Sequence, residues 1–432
     1  MTRNLLLFAA VAMLFILTGV LQSWNLSLSI LNMALLSSIM AMGVNMQWGY
    51  AGLFNTGIMG FAALGGLAVV ITSAPPAPGA WQAGGPGIAL ALCLGAATLF
   101  AATMIYKRMA AGMTRNLLLL VVLIGGFLVF RAVFDPAVSA VEILDPATYG
   151  NLGGLGLPSL IAWPLGGLLA AAAAWAIGKT ALGLRSDYLA IATLGIAEII
   201  IAVLKNEDWL ARGVKNVISL PRPWPVPYEV NMQRDPGFLG LAANWGFDPV
   251  TGSSILVKLL YAGMFGAVLL AVIFLSELAL KSPWGRMMRA IRDNEVSAAA
   301  MGKNITKRHL QVFIIGSAIV GMAGAMMSSM DGQLTPGAYN PLRYTFLIWV
   351  MVIVGGSGNN WGSVLGGLLI GWLWLIVESL GPLVMGGITA GMADGALKTH
   401  LIDSAAHMRL LTLGVILLLV LRFSPRGLIP EK

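Results

Sequence analysis

The sequence predicts an all-α polytopic membrane protein with about ten to twelve transmembrane helices, some of them broken or re-entrant. Three observations predict it. Hydrophobic residues make up 58% of the 432 residues and charged residues only 10%, whereas a soluble domain carries about 25% charged residues. The apolar residues fall in runs of roughly 18 or more, the length that crosses about 30 Å of hydrocarbon. Short segments of alternating polarity, the mark of a transmembrane β-barrel, are missing. This composition excludes a cytosolic enzyme, a disordered regulator and a nucleic-acid binder. The net charge of +8 reads first as basic loops on the inner side of a membrane.

Twelve segments carry the required run: 4–21, 26–44, 50–71, 87–106, 116–134, 160–181, 187–204, 256–280, 309–330, 344–354, 361–380 and 408–423. The first could be a signal peptide. No small-x-small cleavage site follows it, so it reads as a retained helix. The third and tenth are doubtful as complete spans. Gly52, Gly57, Gly60 and Gly65 interrupt the third, and the tenth is short and runs into GGSGNNWG. The two Gly-rich breaks lie toward opposite ends of the chain, as inverted repeats around a central pathway would place them.

The loops fix an orientation. Lys107, Arg108 and Arg115 make the loop after the fourth span basic, and 281–309 holds seven Lys or Arg against two acidic residues. The segment 135–159 carries Asp135, Glu142 and Asp145 with no Lys or Arg. An inner N-terminus puts the basic loops inside and the acidic one outside. An even count puts the tail (Arg422, Arg426, Lys432) inside as well, so both termini are expected in the cytoplasm. The segment 205–255 is then extracytoplasmic. Its PRPWPVP stretch cannot form a regular helix. It is either an ordered cap over a pore mouth or a solvated linker.

The most informative stretch is KSPWGRMMRAIRDNEVSAAAMGKNITKRH, 281–309. Ser282 and Pro283 make a good N-cap and first-turn pair. Arg286, Arg289 and Asp293 share one helical face, while Met287, Met288 and Ile291 lie on another. Gly302 is a plausible stop. A charged loop that only sets topology needs no capped amphipathic helix, whereas docking onto a partner does.

Here the chain resembles the permease subunits of branched-chain amino-acid ABC importers, whose cytoplasmic signature runs roughly S-x-x-G-R-x-x-x-A-I-R-x-N-E-x-A-A-x-x-x-G-I. The match holds at Ser282, Gly285, Arg286, Ala290, Ile291, Arg292, Asn294, Glu295, Ala298 and Gly302. GLRSDYLAIATLGIAEII (183–200), NMQWGYAGLFNTGIMGF (45–61), GMAGAMM, VGGSGNNWGSVLGG and RFSPRGLIPE resemble further family segments. The M-type chains, usually paired with a related second permease, are the most similar subgroup. Asn55 and Ile58 stand where the family often has Ser and His. ARGVKN (211–216) replaces its T-G-G-x-x-G, 87–159 looks like inserted helices, and 381–407 is a long connection.

The resemblance implies one permease domain over 1–432 with the ABC importer permease fold, in a bacterial inner membrane. It implies a sibling permease, two ATPase subunits that hold ATP and magnesium, and an extracytoplasmic binding protein. This chain itself would carry no cofactor, no metal and no catalytic residue. The implied solute is a branched-chain amino acid, with urea, amides and other amino acids open. The coupling residues would be Ser282, Gly285, Arg286, Met287, Arg289, Ile291, Arg292, Asn294, Glu295 and Gly302. Charged contacts would come from Arg286, Arg289 and Glu295, and apolar anchoring from Met287 and Ile291. The candidate pathway residues are Asn45, Asn55, Gly57, Tyr188, Thr193, Glu198, Gly355, Gly356 and Gly358.

Other readings stay in view. Glu198, inside an apolar run, is either functional or held by a structural hydrogen bond. Gly358, Gly362 and Gly366 have small-xxx-small spacing, with Gly367 and Gly371 beside them, which favours close helix packing. Arg131 and Glu378 lie near span ends and read as snorkelling side chains. Gly178-Lys179-Thr180 echoes a phosphate-binding loop, but Ala173 replaces the required glycine. His309, His400 and His407 are too scattered for a metal site. A self-sufficient secondary transporter would need more buried charges than Glu198. A membrane enzyme would need a polar catalytic cluster that the sequence lacks.

Overall fold

The computed structural model describes residues 2–144, 150–184, 186–392 and 394–431. Asp145, Arg185 and Lys432, which figure in the charge pattern and the motifs, lie outside the described residues. The chain opens with α1 (Thr2–Leu21), α2 (Trp24–Ala51), α3 (Ile58–Ser73), α4 (Pro78–Arg108), α5 (Met113–Ile143), α6 (Ser159–Ala181) and α7 (Ser186–Asn206). Three short helices follow: α8 (Asp208–Ala211), α9 (Glu229–Met232) and α10 (Pro236–Trp245). Then come α11 (Pro249–Lys281), α12 (Pro283–Asp293), α13 (Glu295–Ala300) and α14 (Ile305–Asp331). The last helices are α15 (Pro341–Gly355), α16 (Asn360–Thr389), α17 (Ala396–Asp403) and α18 (Met408–Phe423).

All twelve apolar segments form helices. Among the described residues nine are long and apolar enough to cross a membrane, or ten if the bent pair α17 and α18 is one span. The chain is a multi-pass helical membrane protein. The remaining two, α3 and α15, have 16 and 15 residues. At 1.5 Å per residue they reach about 22–24 Å, short of the hydrocarbon thickness. Both are the segments that glycine interrupts, and the missing length is non-helical chain at 52–57 and 356–359. The second span runs further than its apolar stretch predicts. α2 continues through Asn45 and Gln47 until Gly52, left-handed at φ 69°, turns the chain out of the helix.

α2, α3, α6 and α14 form the core. Small residues make it possible. A Cβ on Gly65 would stand 1.8 Å from the Gly321 carbonyl, and one on Gly324 would stand 2.0 Å from the Ala62 carbonyl. Helix axes this close bring many backbone atoms into van der Waals contact, which drives association where lipid removes the hydrophobic gain. Gly362, Gly366, Gly367 and Gly371 do the same for α16, against α15 and α2, so close packing is the role of that glycine run. α1 is built in through Ser27, whose hydroxyl donates to Phe15 O at 2.7 Å, and through Trp372, whose indole donates to Thr18 at 3.0 Å.

Two ends result. One gathers the 52–57 break, α12, α13, the 356–359 turn and the C-terminal tail. The other gathers 205–255 and the links around 74–78, 150–158 and 332–340. There Val217 and Leu334 pair as an isolated bridge, Ser159 donates to Pro221 O at 2.5 Å, and Arg222 pairs with Glu229 at 2.8 Å. The 205–255 segment is folded onto its neighbours.

α4 and α5 pack mainly on each other and leave most of their apolar surface uncovered. Their main link to the body is a small cluster that includes Trp209, 5.7 Å from the Phe134 ring. α5 extends to Ile143, so Asp135 and Glu142 belong to a helix rather than to an acidic loop. Arg131 forms an ion pair with Asp135 at 2.7 Å, one turn later. Glu378 is likewise paired, with Arg409.

Candidate functional site

The coupling stretch and most of the pathway candidates meet at the first of these ends. Asn45 is fully buried in α2. Its side-chain oxygen accepts from the Gly358 amide at 2.8 Å, and its amide nitrogen donates to Asn360 Oδ1 at 3.2 Å. Asn360 in turn donates to Glu277 of α11 at 3.1 Å. The approach needs glycine on both sides, since a Cβ on Gly49 would lie 2.4 Å from Gly358 N. Gly356 and Gly358 also hold positive φ, 120° and 78°, a region that bears no Cβ comfortably. Gly355 packs instead, its missing Cβ 2.0 Å from the Gly362 carbonyl.

Arg292 closes the seam. Its guanidinium donates to the Gly49 carbonyl, to Glu431 at 2.9 Å and to Asp293 at 3.0–3.1 Å. Partial burial works against its charge, but the hydrogen bonds to Glu431 and Asp293 outweigh that, and its pKa is raised. One side chain therefore ties α12 to the end of α2 and to the tail that lies against the 356–359 turn. The tail is pinned by its backbone too, with Leu428 and Ile429 amides on Val354 and Gly355 carbonyls at 2.9 Å.

A second network holds the 52–57 break. Asn55 is buried, donates to Gln47 at 2.9 Å and accepts from the Gly57 amide at 2.8 Å. Gln47 donates to Phe313 O at 3.0 Å and to Ser317 at 3.1 Å. The Trp349 indole donates to Asn55 O at 3.1 Å. Thr193 of α7 accepts from the Thr56 amide at 3.1 Å, and Gly57 abuts its carbonyl. Non-helical backbone at membrane depth survives only when protein satisfies it, and these side chains do so.

Asn45, Asn55, Gly57, Thr193 and the three glycines at 355–358 thus fall into two adjoining networks. Tyr188 and Glu198 do not. Both lie on the uncovered face of α7, where Tyr188 is 63% and Ile191 70% exposed.

The coupling stretch is two helices rather than one. The chain breaks at Asn294, whose side chain caps α13 by accepting from Ser297 N at 2.9 Å. Ser282 stands at the N-cap of α12, but its hydroxyl donates back to Ala279 O at 2.6 Å and caps nothing. Gly285 fits the tight α11–α12 corner, where a Cβ would meet Leu280 O at 2.3 Å. The apolar face turns inward: Met288 and Ile291 are buried in this chain's own core, with Met287 beside them. Trp284 donates to Gln311 of α14 at 3.2 Å. Arg286 and Glu295 point to solvent and Arg289 is half-exposed. Val296 and Met301, which frame α13, are 80% and 79% exposed. Gly302, with φ 73°, turns the chain toward α14.

Sequence reasoning missed Gln47, Asn360, Glu277 and Glu431. Gln47 and Glu277 carried a signal, being polar groups within apolar runs. Glu431 lies in RFSPRGLIPE, one of the segments that resemble the family, but nothing in the sequence showed its pairing with Arg292, 139 residues away.

A family model for the permease component of branched-chain amino acid transport systems matches residues 26–421. A high-affinity branched-chain amino acid transport system permease protein LivM from Salmonella typhimurium is 27% identical over 62% of this chain and 56% of its own length. A probable branched-chain amino acid transport permease protein LivM from Methanocaldococcus jannaschii is 33% identical over 39% of this chain and 45% of its own. A permease protein LivH of the high-affinity system from Salmonella typhimurium is 30% identical over 24% of this chain and 35% of its own. The chain spans about half the length of the LivM relatives it matches. No solved structure shows significant similarity to it. By the extent of the family match, with buried networks at both glycine breaks, the chain belongs to the permease-component family of branched-chain amino acid transport systems.

Proposed function

We propose that this chain is one of two related permeases in an ATP-driven importer of branched-chain amino acids, set in a bacterial inner membrane with both termini in the cytoplasm. ATP and magnesium belong to two ATPase subunits, and an extracytoplasmic protein delivers the solute. The observation that carries this reading is the Arg292 clamp. It joins the α12–α13 segment to the end of α2 and, through Glu431 and Gly358, to the second glycine break. A push on α13 is thereby felt at both broken helices. Met288 and Ile291 bind the segment to this chain, which leaves Arg286, Glu295, Val296 and Met301 to meet an ATPase.

The uncovered face of α7 supports the sibling permease. An exposed carboxylate on a spanning helix is costly against lipid, so Glu198 faces a second protein chain or the water path between two chains. The apolar surface of α4 and α5 faces lipid, as inserted peripheral helices would.

Co-purification of the tagged chain from its native membrane in mild detergent tests the reading. Recovery of a second permease and two ATPases is expected. Recovery of the chain alone, transporting solute in vesicles without ATP, would overturn it.

A further inference from the structure

At the end of the bundle opposite α12 and α13, a cavity of about 360 Å³ opens between α2, α14, α15 and α16. That is within the roughly 300–1,000 Å³ range of small-molecule sites. Its wall changes character with depth. Asp331 ends α14, and Arg343 stands in the first turn of α15. Met351, eight residues further along α15 and so about 12 Å deeper, joins Met40 and Met59 toward the floor.

The charges at the mouth are not all spent on each other. Glu378 and Arg409 pair together. Among the described residues, Asp331 and Arg343 have no ion-pair partner. The Arg343 guanidinium lies 5.2 Å from the Trp374 ring and 5.6 Å from the Tyr344 ring. Aromatic faces hold a cation in place without using its N–H donors. An exposed cation and an exposed carboxylate at the mouth, with methionines further in, line one cavity.

We propose that this cavity binds a zwitterionic α-amino acid with an apolar side chain. Arg343 takes the carboxylate, Asp331 the ammonium, and the methionines take the side chain. A guanidinium fork matches a carboxylate in two parallel hydrogen bonds, and methionine adapts to differently branched chains. The proposal rests on the permease reading above and adds a receiving site within this single chain.

The test measures binding of radiolabelled L-leucine to the full chain, purified with its associated subunits in lipid nanodiscs and without binding protein. L-leucinol, which lacks the carboxylate, and 4-methylpentanoate, which lacks the ammonium, should compete at least tenfold more weakly than leucine. Arg343→Gln and Asp331→Asn should each weaken leucine binding at least tenfold, and Arg343→Lys should recover part of it. Met351→Trp, which fills the floor, should abolish binding while the melting profile stays cooperative. Leucine binding that is absent, or unmoved by these variants, would overturn the site, as would a lipid chain ordered in the cavity. Leucine uptake by cells separates the two failures. If deleting the chain leaves uptake intact, the permease reading fails. If uptake needs the chain yet all four variants transport normally, only this site fails.

Discussion

Asn45 and Gly358, 313 residues apart, are joined by a 2.8 Å hydrogen bond from the glycine amide to the asparagine side chain. The bond fastens the turn between α15 and α16 to the buried end of α2. Asn45→Leu would leave the Gly358 N–H and the Asn360 side chain without this partner in a buried place. An unsatisfied buried polar group costs about 1–3 kcal/mol. The variant should melt earlier than the parent in detergent by a corresponding amount. An unchanged melting temperature would mean that the turn holds itself.

Arg292 and Glu431 should show energetic coupling. Both side chains are less than a third exposed, 23% and 30%. Arg292→Lys keeps the charge but cannot reach Gly49, Glu431 and Asp293 together, since lysine lacks the planar fork. In a double-mutant cycle with Glu431→Gln, the interaction should amount to about 0.5–3 kcal/mol. Strictly additive effects on unfolding would show that the tail is held by its backbone bonds alone.

The helices were legible because a bilayer leaves the chain few options. A run of apolar residues must satisfy its own amides, and the helix does so locally. The breaks at 52–57 and 356–359 were legible for a related reason, since Gly52 and Gly358 have positive φ. The division at Asn294 was readable in principle as a cap, although the amphipathic period of 283–293 runs smoothly into it. What the sequence hid was the inward turn of that period. Ile291 on an apolar stripe looks the same whether its partner is another subunit or α2 of its own chain. Glu198 hid the opposite fact. Its place in an apolar run suggested burial, but burial depends on which face of α7 the neighbouring helices cover.

Gly65→Ala should destabilise the core, because the added methyl would lie 1.8 Å from the Gly321 carbonyl. Overpacking of this kind costs about 1–3 kcal/mol. Gly125→Ala, in α5 with nothing within 4 Å, should be neutral or stabilise by up to about 1 kcal/mol. Thermal melts of the two purified variants check the contrast. Equal effects would mean that α3 and α14 separate more freely than their backbone contact implies.

Val296→Asp combined with Arg286→Glu should leave the fold intact, since both side chains are exposed on the α12–α13 segment. If the proposed function holds, the same pair should remove the ATPase subunits from the purified complex, or cut solute-stimulated ATP hydrolysis at least tenfold. The readout is subunit stoichiometry on a gel alongside the hydrolysis rate. A complex of normal composition and normal stimulated rate would exclude this face from coupling.

The α7 face yields the last test. In a Cys93→Ser background, which removes the chain's single cysteine, Ile199→Cys sets a thiol on the same exposed face as Glu198. A lipid-soluble aryl diazirine, whose photogenerated carbene inserts into an S–H bond without needing the thiolate, should label it in the chain expressed alone. Co-expression of the second permease should slow labelling at least tenfold if that chain covers the face, while Phe100→Cys on α4, 65% exposed, should label equally in both. Glu198→Gln should then weaken association of the two permeases, because the carboxylate loses its charge against whatever donor the partner offers. Labelling of Ile199→Cys at the same rate with and without the second permease would place this face against lipid, and a mid-helix carboxylate there would need a water-filled defect to survive.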